Sequence, residues 1–162
     1  MELKFDIRGN LSPPQKFELE WEAFHDAFEE RFSTSTTRKS LSNNFAAFIY
    51  RLQMEIAKEF TVWIGGSFVS QKQNPQDLDA VFFLDYRVCE NKKLVLDNVW
   101  FNGEMKFTKG MDVYYSIEYP TSHKRHFLSH LNHLYWEDLY GHTRQDAAGR
   151  QSPKGFVELK FK

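Results

Sequence analysis

Polar and apolar positions change period several times along the chain, and each change marks an expected element. Leu3-Lys4-Phe5-Asp6-Ile7 alternates with the period of two of a strand. Ser12-Pro13-Pro14-Gln15 carries the signals of a helix start: Ser12 as cap, Pro13 in the first turn, Gln15 closing a capping box. Phe17, Trp21, Phe24, Phe28 and Phe32 follow at helical spacing. A polar break at 33–37 precedes a second expected helix, roughly Ser42 to Glu59, with a stripe of Phe45, Phe48, Ile49, Leu52, Ile56 and Phe60. Both stripes read as core.

Thr61 to Ile64 is β-branched and aromatic and predicts a buried strand. Phe68 to Gln71 predicts a short helix or a turn, and Asn74-Pro75 a loop. Leu78 to Leu84 is the second strand and Met111 to Ile117 the third. Between them, Leu94–Leu96 and Val99–Phe101 read as edge elements, and Asn102-Gly103 as a turn. Thr121 or Ser122 caps an expected helix running to about Tyr140, with Gly141 as its stop. The stretch 143–153 is polar and expected to be loose. Gly155 to Phe161 alternates as a last strand, expected at an edge beside Leu3–Ile7. Helices and strands interleave without a regular βαβ rhythm, which predicts an α+β fold: a mixed, twisted sheet with helices packed on it.

Composition narrows the picture. A chain of 162 residues fits a single domain over 1–162 with a proper core, and 16 phenylalanines make that core Phe-rich. A net charge of −1 gives no global nucleic-acid signature, so any such surface is a local patch. The lone cysteine, Cys89, excludes an internal disulfide and fits a reducing cytosol; no role is assigned to it. No apolar run approaches the ~20 residues of a membrane span. The start lacks the basic and apolar regions of a signal peptide. The expected location is the cytoplasm, away from the membrane.

The chemistry concentrates between Phe60 and Asp85. On a strand, Asp77 and Asp79 point to the same side. Asp-x-Asp is common at solvated strand ends, but this pair opens a strongly apolar strand, and buried carboxylates need partners. An oxygen-only ligand set favours a hard divalent ion, Mg²⁺ or Mn²⁺. Gly65-Gly66-Ser67 closes the preceding strand; if a helix follows, its bare N–H groups suit a phosphate. Phosphate cradle and metal carboxylates together are the parts of phosphoryl or nucleotidyl transfer. Asp112 lies inside the third expected strand. Asp85 is no partner for Asp79: six residues of strand put it about 20 Å away, too far to share an ion.

The order apolar-Gly-Ser, a spacer of about ten, then Asp-apolar-Asp resembles the signature of the polymerase-beta-like nucleotidyltransferase superfamily. The wider wording, including 70–77 and Pro153-Lys154-Gly155-Phe156-Val157-Glu158-Leu159, is similar to small bacterial nucleotidyltransferase-like domains. The resemblance implies a small twisted sheet with carboxylates on adjacent strands. It implies a metal-dependent enzyme that moves an NMP from an NTP to an RNA end, such as that of a tRNA, or to a protein hydroxyl, releasing pyrophosphate. Asp77 and Asp79 would hold the ion on the triphosphate, and Asp79 and Asp112 a second ion. Gly66 and Ser67 would approach the β- and γ-phosphates, with Lys72 a weaker phosphate contact. Small members resemble components of toxin–antitoxin and phage-defence systems, so a partner protein from the same system is expected. With no room for a second domain, acceptor choice falls to the helices, to a loop at Glu90–Lys93, or to that partner.

Two other readings stay open. One is a non-catalytic nucleotide- or partner-binding module on the same fold. The other is a metal protein built on His123, His126, His130 and His133, spaced three, four, three along one helix beside Phe127, Leu131, Leu134 and Tyr135. That stripe has no cysteine or carboxylate within it, so a half-exposed helix edge is the preferred reading. Arg38-Lys39, Arg51 and Lys58 read as surface charges.

Overall fold

The computed structural model describes residues 3–101 and 110–162. The fold is α+β, with a mixed five-stranded sheet and helices on both of its faces. In chain order, β1 (Lys4–Phe5) and β2 (Leu11–Ser12) form a short antiparallel pair apart from the main sheet. Then come β3 (Lys16–Leu19), α1 (Trp21–Phe28), a 3-10 turn at Glu30–Phe32 and α2 (Arg38–Glu55). The antiparallel strands β4 (Phe60–Gly65) and β5 (Leu78–Asp85) follow. Next are α3 (Tyr86–Val95), a π-helical segment (Leu96–Phe101), β6 (Met111–Glu118), α4 (His126–Tyr140) and β7 (Phe156–Phe161). The strand order is β3-β7-β4-β5-β6, parallel at the two outer pairs and antiparallel at the two inner ones.

The alternation of β5 divides the core. Leu78, Ala80, Phe82 and Leu84 face α1 and α2 in the larger cluster, where Phe82 packs on Phe45, Phe48 and Phe60. Val81 and Phe83 face the other way, into a smaller cluster with Trp63, Phe156, Trp136 and Tyr140 under α4. Asp79 shares the parity of Val81 and Phe83 and so lies on the α4 face.

Several expectations are corrected. Lys16 to Leu19 is a strand and not part of a helix: Lys16 and Glu18 are exposed while Phe17 and Leu19 are buried, the period of two. The spacing of Phe17 to Trp21 matches a helix by coincidence, and α1 begins at Trp21. Ser12 therefore lies in β2 and caps nothing. The last strand does not pair with Leu3–Ile7; β7 lies inside the sheet between β3 and β4. The second helix starts earlier and ends earlier than expected, and Phe60 opens β4.

The residues expected as edge elements at 94–101 are helical, because Asp85 caps α3 by accepting from the Arg87 N–H and the chain coils onward to Phe101. Glu90–Lys93 is consequently helix rather than loop. The expected turn at Asn102-Gly103 lies outside the described residues. The 143–153 segment is tied rather than loose: Thr143 N–H bonds Ser152, and Asp146 accepts from Ala148 and Arg150.

The orientation of α4 is the largest surprise. Ser129, Trp136 and Tyr140 are its buried residues, and the apolar stripe of Phe127, Leu131, Leu134 and Tyr135 faces outward. No helix of the described residues is long and apolar enough to cross a membrane.

Candidate functional site

The strand registers set three candidate positions in one row. Gly65 on β4 lies opposite Asp79 on β5, and Asp79 lies opposite Asp112 on β6. Neighbouring strands are about 4.8 Å apart, so the two aspartates stand side by side on the same face. Asp77, two residues earlier, adds its charge to theirs. Burial pushes the Asp79 carboxyl up to about 6, helped by the negative charge of Asp77 and Asp112. The Tyr114 hydroxyl donates to Asp112 Oδ2 at 3.2 Å.

The glycines are shaped by close approach. Gly65 lies under the Tyr140 ring, where a Cβ would come within 2.5 Å of Cγ and Cδ1. Gly66 has φ +68, and a Cβ there would lie 1.8 Å from Asp79 Oδ2. The backbone at Gly66 thus runs against the carboxylate. Ser67 is half-buried in the turn that follows, and its carbonyl accepts from Ser70 Oγ at 2.7 Å. Of the two alternatives for 68–71 the structure has the turn, so no helix N-terminus is offered to a phosphate here.

Lys72 is exposed, and what binds is its carbonyl, 2.6 Å from an Arg38 nitrogen. Arg38, expected on the surface, is fully buried. Its guanidinium donates to the carbonyls of Phe28, Phe68, Ser70 and Lys72 and lies over the Phe32 ring at 3.8 Å. Asn74 Oδ1 accepts from Thr36 N–H and Ser35 Oγ, fixing the same loop from the other end. Burial lowers the Arg38 guanidinium to about 10.

Three further residues of the site were not singled out from sequence. Lys154, buried just before β7, donates to the Gly66 carbonyl at 3.2 Å. Burial lowers its ammonium, and the charge of Asp79 opposes that shift. Arg144, exposed, adds a second positive charge toward Asp79. Tyr140 is buried, its hydroxyl has no hydrogen-bond partner among the described residues, and burial with the charge of Asp79 and Asp112 raises it well above its usual value. The only sequence signal for Lys154 was its place in the Pro-Lys-Gly lead-in; the pairing of β7 with β4 is what brings it to Gly66.

In donor chemistry the residues fit a hard divalent cation. Three carboxylate side chains face two cations, the Asp79 carboxylate is half-buried, and an orphaned buried hydroxyl stands nearby. Among the described residues, however, the three side chains whose ligand atoms lie within 4.8 Å of one another are His25, Glu29 and Glu30, not the aspartates. His25 and Glu29 are a helical i,i+4 ion pair at 3.0 Å, which accounts for that cluster. An ion at the aspartates would keep part of its water shell, as Mg²⁺ does.

A hollow of about 470 Å³ lies at the opposite end of the same sheet face, against Trp63, Phe83, Asp85, Glu118, His133 and Glu158. Of its carboxylates, Asp85 pairs with Arg87, Glu158 pairs with Lys16, and Glu118 bonds His133; Glu59 lines it as well. At the aspartate end three carboxylates crowd one another, and that end is the better candidate. Asp85, at the far end of β5, stands apart from the trio as expected.

The histidines do not form one site. His123 stacks on Tyr119, His126 Nδ1 is 2.8 Å from the Tyr119 carbonyl, and His133 packs on Trp63 and Phe83 while bonding Glu118 at 2.9 Å. His130 is exposed. Cys89 is buried in α3, and burial pushes its thiol up to about 12, which suits no nucleophilic role.

The chain belongs to a family of unknown function, DUF6932, whose model matches residues 3–160. No curated protein and no solved structure matches it.

Proposed function

We propose that the chain is a metal-dependent nucleotidyltransferase that moves an NMP from an NTP to an RNA end or a protein hydroxyl. The observation that carries this reading is the row of Gly65, Asp79 and Asp112 across three strands, with Asp77 beside it and an excess of negative charge. Asp77, Asp79 and Asp112 would hold Mg²⁺ or Mn²⁺. When bound, that ion supplies charge stabilisation to the transferring phosphoryl group. Lys154 and Arg144 offer positive charge to the polyphosphate. Gly66, without a side chain, lets the Asp79 carboxylate come close to the backbone of the turn. The acceptor oxygen bonds the α-phosphorus, the bond from that phosphorus to the β-phosphate bridge breaks, and pyrophosphate leaves. The hydroxyl proton passes to Asp112, which Tyr114 holds in place. A role beside a partner protein in a toxin–antitoxin or phage-defence system, in the cytoplasm, belongs to the same proposal.

Two observations favour a second reading. The turn after Gly66 is not followed by a helix, and the three aspartates are not gathered around one point. A nucleotide- or partner-binding module without chemistry fits that arrangement. Incubation with each α-labelled NTP, Mg²⁺ or Mn²⁺, cellular RNA and lysate separates the two. Label transferred by the wild type and lost in Asp77→Asn/Asp79→Asn supports transfer. Bound nucleotide without transferred label supports the module, and neither binding nor transfer sinks both the enzyme and the nucleotide-binding module.

A further inference from the structure

The outward face of α4 is apolar, which a helix packed on a sheet does not need. Phe127, Leu131, Leu134, Tyr135 and Leu139 are each between 49 and 61% exposed. Phe127, Leu131 and Leu134/Tyr135 recur with the helical period, opposite the buried Ser129, Trp136 and Tyr140. The ends of the stripe carry opposite charge. Lys124 and Arg125, both exposed, precede its first residue, and the exposed Glu137 and Asp138 lie near its last. The helix dipole has the same sense, positive at the Lys124 end and negative at the Asp138 end.

We propose that this face is a twofold dimer interface, in which α4 packs antiparallel against α4 of a second copy. A surface basic at one end, apolar in the middle and acidic at the other is complementary to itself when turned around. With Leu131 on the axis, Phe127 faces Tyr135 of the second copy, and Lys124 and Arg125 face its Asp138 and Glu137. A parallel pairing would set like charges together. The five side chains expose on the order of 100 Å² each, so a pair buries about 1,000 Å² in total. That is at the lower edge of specific interfaces, the class in which weak, concentration-dependent association is found. The proposal does not depend on nucleotidyl transfer.

Sedimentation velocity of the full chain from about 1 to about 200 µM tests it. The wild type is expected to pass from monomer to dimer in that range. Leu131→Asp is expected to remain monomeric at the highest concentration with an unchanged circular dichroism spectrum, since the residue is exposed. Lys124→Glu and Asp138→Lys are each expected to weaken the dimer by about tenfold, and together to restore it. Leu131→Cys, on the axis and in a Cys89→Ser background, is expected to cross-link one copy to another under oxidation. A wild type that stays monomeric throughout overturns the proposal and leaves the face to a different protein. A dimer unaffected by Leu131→Asp also overturns it. Charge reversals that do not rescue each other, together with no cross-link, overturn the antiparallel register.

Discussion

Asp79 Oδ2 lies where a side chain on residue 66 would begin: a Cβ built on Gly66 would be 1.8 Å away. The glycine and the carboxylate are fitted to each other across the β4–β5 pair. Gly66→Ala must strain a positive φ and also push Asp79 out of place. We expect a loss of roughly 2 kcal/mol of stability in urea unfolding, together with weaker divalent-metal or nucleotide binding. An alanine variant as stable as the wild type would mean that Asp79 turns aside freely and that the close approach has no role.

Asp79 also gives a pH test. Its carboxyl is raised to about 6 in the folded protein, by burial first and then by Asp77 and Asp112. Between about 4, the ordinary value, and 6 the folded state binds the proton better than the unfolded one. The stabilising contribution is therefore complete below pH 4 and is lost as pH rises through 6. Above that, ionised Asp79 costs the metal-free protein about 2 kcal/mol after screening by nearby water. Asp79→Asn lacks this cost. The variant should gain on the wild type as pH rises from 4 to 7 without metal, and saturating Mg²⁺ should reverse the order. Comparing the two proteins cancels the opposite slope from Glu158, where burial acting alone would raise the carboxyl but Lys16, Trp63 and Lys160 hold it below its usual value. A difference that does not change with pH would refute the assignment.

The three strands that carry Gly65, Asp79 and Asp112 were legible because strand period and an apolar context survive in a single sequence. Residues 61–64, 78–84 and 111–117 were all expected as strands, and the structure pairs them. What was not legible depends on contacts far apart in the chain. Arg38 looks like any helix-start arginine; its burial comes from carbonyls of 28, 68, 70 and 72 converging on it. Lys154 reaches Gly66 only through the β7–β4 pairing. Phe17 obeyed both periods, and β7 decided between them by taking β3 as its parallel neighbour. The outward stripe of α4 has the spacing of a core face, and spacing alone does not say which side meets the sheet.

Lys154 is the buried counter-charge beside the aspartates. Burial lowers its ammonium, so the protein holds this charge against a desolvation cost. Lys154→Met keeps most of the volume and removes that cost, so the fold should tolerate it, with a change in melting temperature of only a few degrees. Binding of an NTP analogue should weaken by about tenfold, since a positive charge facing the polyphosphate is gone. Isothermal titration measures both the wild type and the variant. Equal affinities would remove Lys154 from the nucleotide site and leave it as a tie to the Gly66 carbonyl.

Arg38 holds the loop that follows the glycine turn, and its replacement separates structure from site. Four carbonyls accept from one guanidinium between 2.6 and 2.8 Å. The flat fork of arginine reaches all four, whereas a lysine ammonium has three donors at one point. Arg38→Met takes this donor from four carbonyls, two of them buried and two partly so, and should cost about 3 kcal/mol. Arg38→Lys should recover only part of that, since its single nitrogen cannot span Phe28, Phe68, Ser70 and Lys72 together. Hydrogen exchange should report the loss locally, with faster exchange over 68–73 than over β5 in the lysine variant. Uniform acceleration across the sheet would instead make Arg38 a general core residue with no special hold on this loop.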